Sequence, residues 1–277
     1  MCLEVAEEGK GGMPHEPTIF VAPNGARRTR ADHPALPVTI PEIVETAKTC
    51  FAAGAAGIHA HVRDEEGAHV LDGGLYRELI EELALQVPEM AVQITTEAVG
   101  RYSPAEQRAV VRAVEPKMVS VALGEMFEDD NLQEVSRFYY ECREQGTEVQ
   151  HIVYSAEEFS KLTKLMMLGT LPGRDKSVLF VLGRYVQDQL STPAMLEPFL
   201  EVLGVLRLAE SWKFMTCAFG QQETACLVAS ACAGGDCRVG FENNLLHQDG
   251  SMAEDNASRV RALASALKSA GLVLKPV

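Results

Sequence analysis

A chain of 277 residues, 47% of them apolar, has the usual length of one α/β barrel and enough hydrophobic material for a full core. Its formal charge of −14 excludes a nucleic-acid surface, which needs a basic face, but leaves room for a small anionic substrate because a local arginine cluster overrides net charge. No apolar run reaches the roughly 18 residues of a membrane span. The polar start lacks the apolar stretch of a signal peptide, and the seven cysteines, with no C-x-x-C pair, read as buried reduced thiols of a cytoplasmic protein.

Residues 1–16 are expected to form a flexible leader, and 17–277 a single domain. The first β-rich run covers 18–22 and is followed by Asn24 and by Arg27, Arg28 and Arg30. A helix over 40–53 opens at Thr39, with Pro41 and Glu42 supplying the N-terminal signals. A strand at 57–62 precedes a helix at 74–85, which keeps Leu75, Leu79, Ile80 and Leu83 on one face. A strand at 91–95 then leads to the Ser103-Pro104-x-Glu106 capping signal. Further strands are expected at 118–122, 148–154, 178–182, 213–218 and 238–241. Eight strands alternating with helices predict a (β/α)₈ TIM barrel, and the absence of G-x-G-x-x-G after the first strand argues against a dinucleotide-binding sheet.

Side chains alternate across a strand, so in Gly57-Ile58-His59-Ala60-His61-Val62 the two imidazoles share the inward face while Ile58, Ala60 and Val62 face the helices. The pair closes the second strand, at the barrel end where such folds build active sites. In Arg238-Val239-Gly240-Phe241-Glu242 the same parity sends Glu242 inward, provided Val239 and Phe241 pack outward. Two imidazoles and one carboxylate with an open position form a Lewis-acid site that suits zinc (Zn2+). The bland alternatives are a chance His-x-His and a rim carboxylate paired with Arg238. Thr95 and Thr96, after the third strand, and Ser120 on the fourth are candidate hydroxyls for substrate oxygens; β-propensity and core filling explain them equally well. Asn24, Arg27, Arg28 and Arg184 sit after strands one and six, where they can grip a carboxylate or the phosphates of a cofactor. His33, His69 and His247 lack partners at ligand spacing and read as solvated or capping groups.

The segments AAGIHAHVRD, LYRELIEEL, QITTEAVGRYSP, VSVALGEM and CRVGFENNLL resemble the β-keto acid cleavage enzyme family, whose founding activity is 3-keto-5-aminohexanoate cleavage. The resemblance implies a zinc-bearing TIM barrel, usually a homotetramer, that reacts a β-keto acid with acetyl-CoA to give acetoacetate and a new acyl-CoA. It puts His59, His61 and Glu242 on the zinc ligands and Arg238 on the arginine that organises the catalytic group.

The chain departs from the family at Asn243, where many members carry the aspartate taken as the base; an amide cannot accept that proton. The fifth strand offers Gln150 or Ile152 where an acid usually supports the arginine. Glu97 is the preferred substitute for the base, ahead of His151 or a zinc-bound water. Two other readings remain: a metal-dependent hydrolase acting on an ester or amide without CoA, and a metal-bearing barrel that binds without catalysis.

Overall fold

The computed structural model describes residues 15–173, 176–186, 188, 190–206 and 212–275. The expected leader lies outside the described residues up to residue 14. Eight parallel strands close a barrel in chain order, β1 (Ile19–Val21), β2 (Gly57–Ala60), β3 (Ala91–Thr95), β4 (Met118–Ala122), β5 (Glu148–Val153), β6 (Lys176–Leu182), β7 (Trp212–Ala218) and β8 (Asp236–Val239), with β8 pairing back onto β1. The described helices are α1 (Ile40–Ala52), α2 (Gly73–Gln86), α3 (Pro104–Val114), the short α4 (Leu123–Met126), α5 (Leu132–Gln145), α6 (Ala156–Met167), α7 (Glu197–Val205), α8 (Glu223–Cys232) and α9 (Asn256–Ser269). The chain is a TIM barrel.

The helix starts follow the signals in the sequence. Thr39 with Glu42 and Ser103 with Glu106 form capping boxes, each followed by proline in the first turn, so the free N–H groups are satisfied locally. Strand alternation divides the apolar residues into two cores. Ile58, Ala60, Val62, Val119, Val121, Val153 and Val239 face outward into the large cluster shared with the helices. Phe20, Ala122, Ile152, Leu179, Val181, Met215 and Phe219 face inward and fill the barrel itself. At about 1.5–3 kcal/mol for each buried large side chain, this two-sided burial is the main force that holds β8 against β1 and closes the ring.

β8 ends at Val239, two residues before the expected end. Gly240 has φ of 146°, and a Cβ there would lie 2.4 Å from the Ala22 carbonyl oxygen, so only glycine lets the chain leave β8 this close to β1. β2 likewise ends at Ala60, and His61 lies just beyond it. Cys50, Cys142, Cys217, Cys226 and Cys237 are free and buried, as expected. Cys2 lies outside the described residues. Among the described residues no helix is long and apolar enough to cross a membrane.

Candidate metal centre and active site

The barrel mouth brings His59, His61 and Glu242 together. His59 Nε2 and His61 Nε2 are 3.1 Å apart, and Glu242 Oε2 lies 3.5 Å from the first and 3.4 Å from the second. Ligands held about 2.0–2.1 Å from a tetrahedral ion stand about 3.3 Å from one another, so these three atoms already describe one face of a coordination tetrahedron. Glu242 Oε2 is buried and has no hydrogen-bond partner, as a ligand atom awaiting a cation would be. The residues therefore fit a divalent metal with an open position.

Protonation agrees with that fit. Burial pushes His59 down to about 4 and His61 well below its ordinary value, so both imidazoles are neutral and carry a lone pair. For Glu242, burial works to raise the carboxyl, but the Arg238 guanidinium overrides it and holds it well below the carboxylate range. His59 Nδ1 lies 2.8 Å from Gln93 Oε1, within hydrogen-bond distance, on the side of the ring away from the triad.

Arg238 donates from Nη2 to Glu242 Oε1 at 3.0 Å and to Cys217 Sγ at 3.3 Å, while its Nε and Nη1 are buried without a partner. These two donors belong to a side chain that lines a cavity of about 270 Å³ opening on the metal centre. Arg28 lines it too: its Nη2 donates to the Asn243 carbonyl at 3.3 Å, and its Nη1 is buried and unpaired. Ala122 on β4, Ile152 on β5, Val181 on β6 and Phe219 just after β7 add apolar surface to the lining. The cavity thus joins cationic, metal-ready groups to apolar side chains, an arrangement suited to an anion that reacts at carbon.

Glu97 faces the same space. Its carboxylate oxygens lie 3.5 Å from Arg184 Nη2, 3.9 Å from Arg27 Nε and 3.9 Å from His61 Nδ1. Burial, aided by the charge of Glu242 and opposed by Arg184, pushes Glu97 up to about 7.

Other candidates divide by strand parity. Thr95 lines the cavity, and its Oγ1 accepts from Glu97 N at 3.0 Å. Thr96 does not line it: the next residue points the other way, and its hydroxyl donates to the Ser120 carbonyl at 3.1 Å. Ser120 lines the cavity with a buried, unpartnered Oγ. Asn24 lines it as well, but its amide is committed to backbone, donating to the His61 carbonyl at 2.9 Å and the Pro37 carbonyl at 3.2 Å. It holds the end of β2, and so His61, in place. Arg27 reaches the rim with 63% of its side chain exposed. Asn243 is buried outside the cavity lining, with neither side-chain polar atom paired, because it follows the inward Glu242.

His151 is also turned away. It faces the helices and stacks on Tyr139 at 5.1 Å, so it cannot reach a substrate in the mouth. His33 and His69 are buried rather than solvated: His33 bonds the Ala253 carbonyl, and His69 packs 4.9 Å from the His61 ring with its Nε2 on the Glu97 carbonyl. His247, half-buried, bonds Arg259. On β5, Gln150 and Ile152 face inward and no carboxylate takes their place. Two functional side chains escaped the sequence reading. Gln93 shares the inward parity of Thr95 two residues later, which was the available signal. Arg63 ties the loop after β1 by donating to the carbonyls of Gly25, Arg28 at 3.1 Å and Gly67 at 3.0 Å; nothing local marks that role.

Similarity to known proteins points the same way as the geometry. A 3-oxoadipate:acetyl-CoA acetyltransferase from Cupriavidus necator is 23% identical over 258 residues, spanning 91% of this chain and 89% of that one. A 3-keto-5-aminohexanoate cleavage enzyme from Fusobacterium nucleatum is 25% identical over 259 residues, spanning 91% and 92%. Among solved structures, the binary complex of ObcA with oxaloacetate superposes with a TM-score of 0.66 at 17% identity, covering 88% of this chain and 66% of that one. A 3-dehydroquinate dehydratase from Geobacillus kaustophilus gives 0.59 at 10% identity, over 92% and 91%. These structural likenesses show the fold. The family model described as beta-keto acid cleavage enzyme matches residues 17–275, and this chain, an acyl-transferring enzyme that cleaves a carbon–carbon bond, belongs to that family.

Proposed function

We propose that the chain is a zinc-dependent enzyme that condenses a β-keto acid with acetyl-CoA and cleaves the adduct to acetoacetate and a new acyl-CoA. The observation that carries this reading is the convergence of three ligand atoms, spaced as for a tetrahedral ion, on a cavity that also holds the unpaired donors of Arg238. Zinc suits two imidazoles and a carboxylate and, when bound by His59, His61 and Glu242, supplies Lewis acidity toward the oxygens of the keto acid.

The side chains of the cavity divide the remaining work. Arg238 Nε and Nη1 receive substrate oxygens as their negative charge grows, and Arg28 Nη1 adds a second donor from the opposite loop. Ser120 Oγ and Thr95 orient the acid, and Glu97 takes a proton from the carbon between its two carbonyls. The resulting carbanion attacks the acetyl carbonyl and displaces the CoA thiolate. That thiolate then attacks the original ketone carbon, the bond to the central carbon breaks, and the proton returns from Glu97 to leave acetoacetate. Atoms balance with no further reactant. Ala122, Ile152, Val181 and Phe219 keep water from the carbanion and the thioester. From the family resemblance we also infer a cytoplasmic homotetramer, which sedimentation of the purified protein reads directly.

The test is turnover of a panel of β-keto acids by zinc-loaded protein, with and without acetyl-CoA. Acetoacetate and the matching acyl-CoA are expected only when acetyl-CoA is present. Consumption of the acids without it would indicate the hydrolase, and no turnover in either arm would indicate a barrel that only binds.

A further inference from the structure

We infer that a one-way hydrogen-bond relay, running from Met215 through Gln150 and Gln93, fixes the His59 tautomer with its proton on Nδ1 and its Nε2 bare. The consequence for metal binding rests on the metal reading above; the tautomer does not.

Gln93 accepts from His59 Nδ1 through Oε1 at 2.8 Å and donates through Nε2 to Gln150 Oε1 at 3.2 Å; Gln150 in turn donates through Nε2 to Met215 Sδ at 3.9 Å. The three side chains are 1%, 3% and 5% exposed, so water does not compete for these contacts. An amide can present either end to a neighbour, and by itself Gln93 would serve His59 as donor or as acceptor. The thioether removes the choice. Its sulfur has no hydrogen and only accepts, so Gln150 turns its NH₂ toward Met215 and its carbonyl toward Gln93. Gln93 must then give its own NH₂ to Gln150 and its carbonyl to His59, and His59 must hold its proton on Nδ1.

The opposite direction would leave the proton on Nε2, 3.1 Å from His61 Nε2 and 3.5 Å from Glu242 Oε2, where a metal would bind. Relay direction therefore separates a triad able to take a cation from one closed by its own proton. Fold geometry makes the chain of contacts possible: Gln93, Gln150 and Met215 come from β3, β5 and β7, the alternate strands whose inward residues form one interior layer of such a barrel. Packing alone would be served by apolar side chains, and two buried primary amides in this layer are costly unless each is paired. The relay is also neutral. A carboxylate behind His59 would make the imidazole more basic and the metal a weaker Lewis acid, whereas amides hold the ring without adding charge. Gln93 and Gln150 are positioning residues in this scheme.

The direct test is the ¹⁵N chemical shifts of the His59 ring in metal-free protein, assigned against His59→Gln, together with zinc affinity measured by competition with a chelator. We expect the Nδ1–H tautomer in the wild type, and zinc binding weaker by about 10–100-fold in Gln93→Leu. Met215→Leu keeps the volume but removes the sulfur, and a mixed tautomer is expected there. A wild type carrying its proton on Nε2 overturns the relay, as does a Gln93→Leu protein whose His59 keeps the Nδ1–H form unchanged. If Gln93→Leu fails to fold, the wild-type and Met215→Leu spectra still decide. Absence of zinc binding in the wild type would overturn the metal reading instead, since the tautomer is read without metal.

Discussion

At the scale of single residues, the proposed chemistry places its greatest demand on Glu97. Asn243, which stands where the family's usual base is expected, is an amide and lies outside the cavity lining, and β5 presents Gln150 and Ile152 rather than an acid. Glu97 is left as the cavity carboxylate outside the proposed ligand set; Asp32 also lines the space but accepts from Thr29 N at 2.7 Å and Thr29 Oγ1 at 3.2 Å. Arg184 and Arg27 hold Glu97 from one side, and His61 stands on the other. Glu97→Gln is nearly isosteric, keeps an oxygen for the two guanidinium groups and cannot take a proton. It should lower kcat by about 10²–10⁴-fold. Zinc content and the fluorescence-detected unfolding midpoint should stay at wild-type values, because the side chain is no ligand. Full activity in Glu97→Gln would remove it from the proton transfer, and loss of zinc would assign it to the metal centre.

At the scale of elements, the site depends on how β8 leaves the barrel. Glu242 N donates to the Ala22 carbonyl at 3.0 Å, and Gly240 N reaches Glu223 Oε1 at 3.4 Å, so the turn after β8 is pinned to β1 and to α8. Gly240→Ala forces a Cβ into the Ala22 backbone at a φ that side chains rarely adopt. The expected cost is about 2–5 kcal/mol of stability, from strain and overpacking together, with loss of zinc as Glu242 is displaced. Gly234→Ala, also at a positive φ (89°) but with nothing within 4 Å of the added Cβ, is the control for backbone strain without the clash and should retain zinc. Denaturant titration and metal analysis read both. The same turn shows what the sequence could and could not reveal. Period-two alternation made the inward faces of β2 and β8 legible, and with them His59, His61 and Glu242. It also rules against Thr95 and Thr96 acting as a pair, since neighbours on an extended segment point apart, and Thr96 duly serves the Ser120 carbonyl. Gln93 stayed hidden for another reason: its partners lie 34 and 57 residues away and meet it only once the barrel closes.

For the whole molecule, the price of filling both layers of a barrel is that several histidines are buried uncharged, and this makes the fold sensitive to acid. His151 shows the effect most simply. It lies on the outer face of β5, away from the metal centre, and burial alone pushes it down to about 3. Tyr139 stacks on it, and Arg143, Glu148 and Lys213 line the cleft beside it. In the unfolded chain the ring titrates near 6.5. Above that pH it is neutral in both states and contributes nothing to the pH dependence. Between 6.5 and 3 the unfolded state binds a proton that the folded state refuses, so stability falls as pH falls. Between pH 7.5 and pH 5.0 this one residue should cost the fold about 2 kcal/mol. His151→Phe keeps a ring against Tyr139 and has nothing to protonate, so its loss of stability over the same interval should be smaller by that amount, whatever its stability at pH 7.5. Urea unfolding of the metal-free protein at the two pH values measures the difference and keeps metal release out of it. Equal losses in wild type and variant would mean that His151 takes up its proton in the folded state, through an opening of β5 from α5 that leaves the rest of the barrel closed.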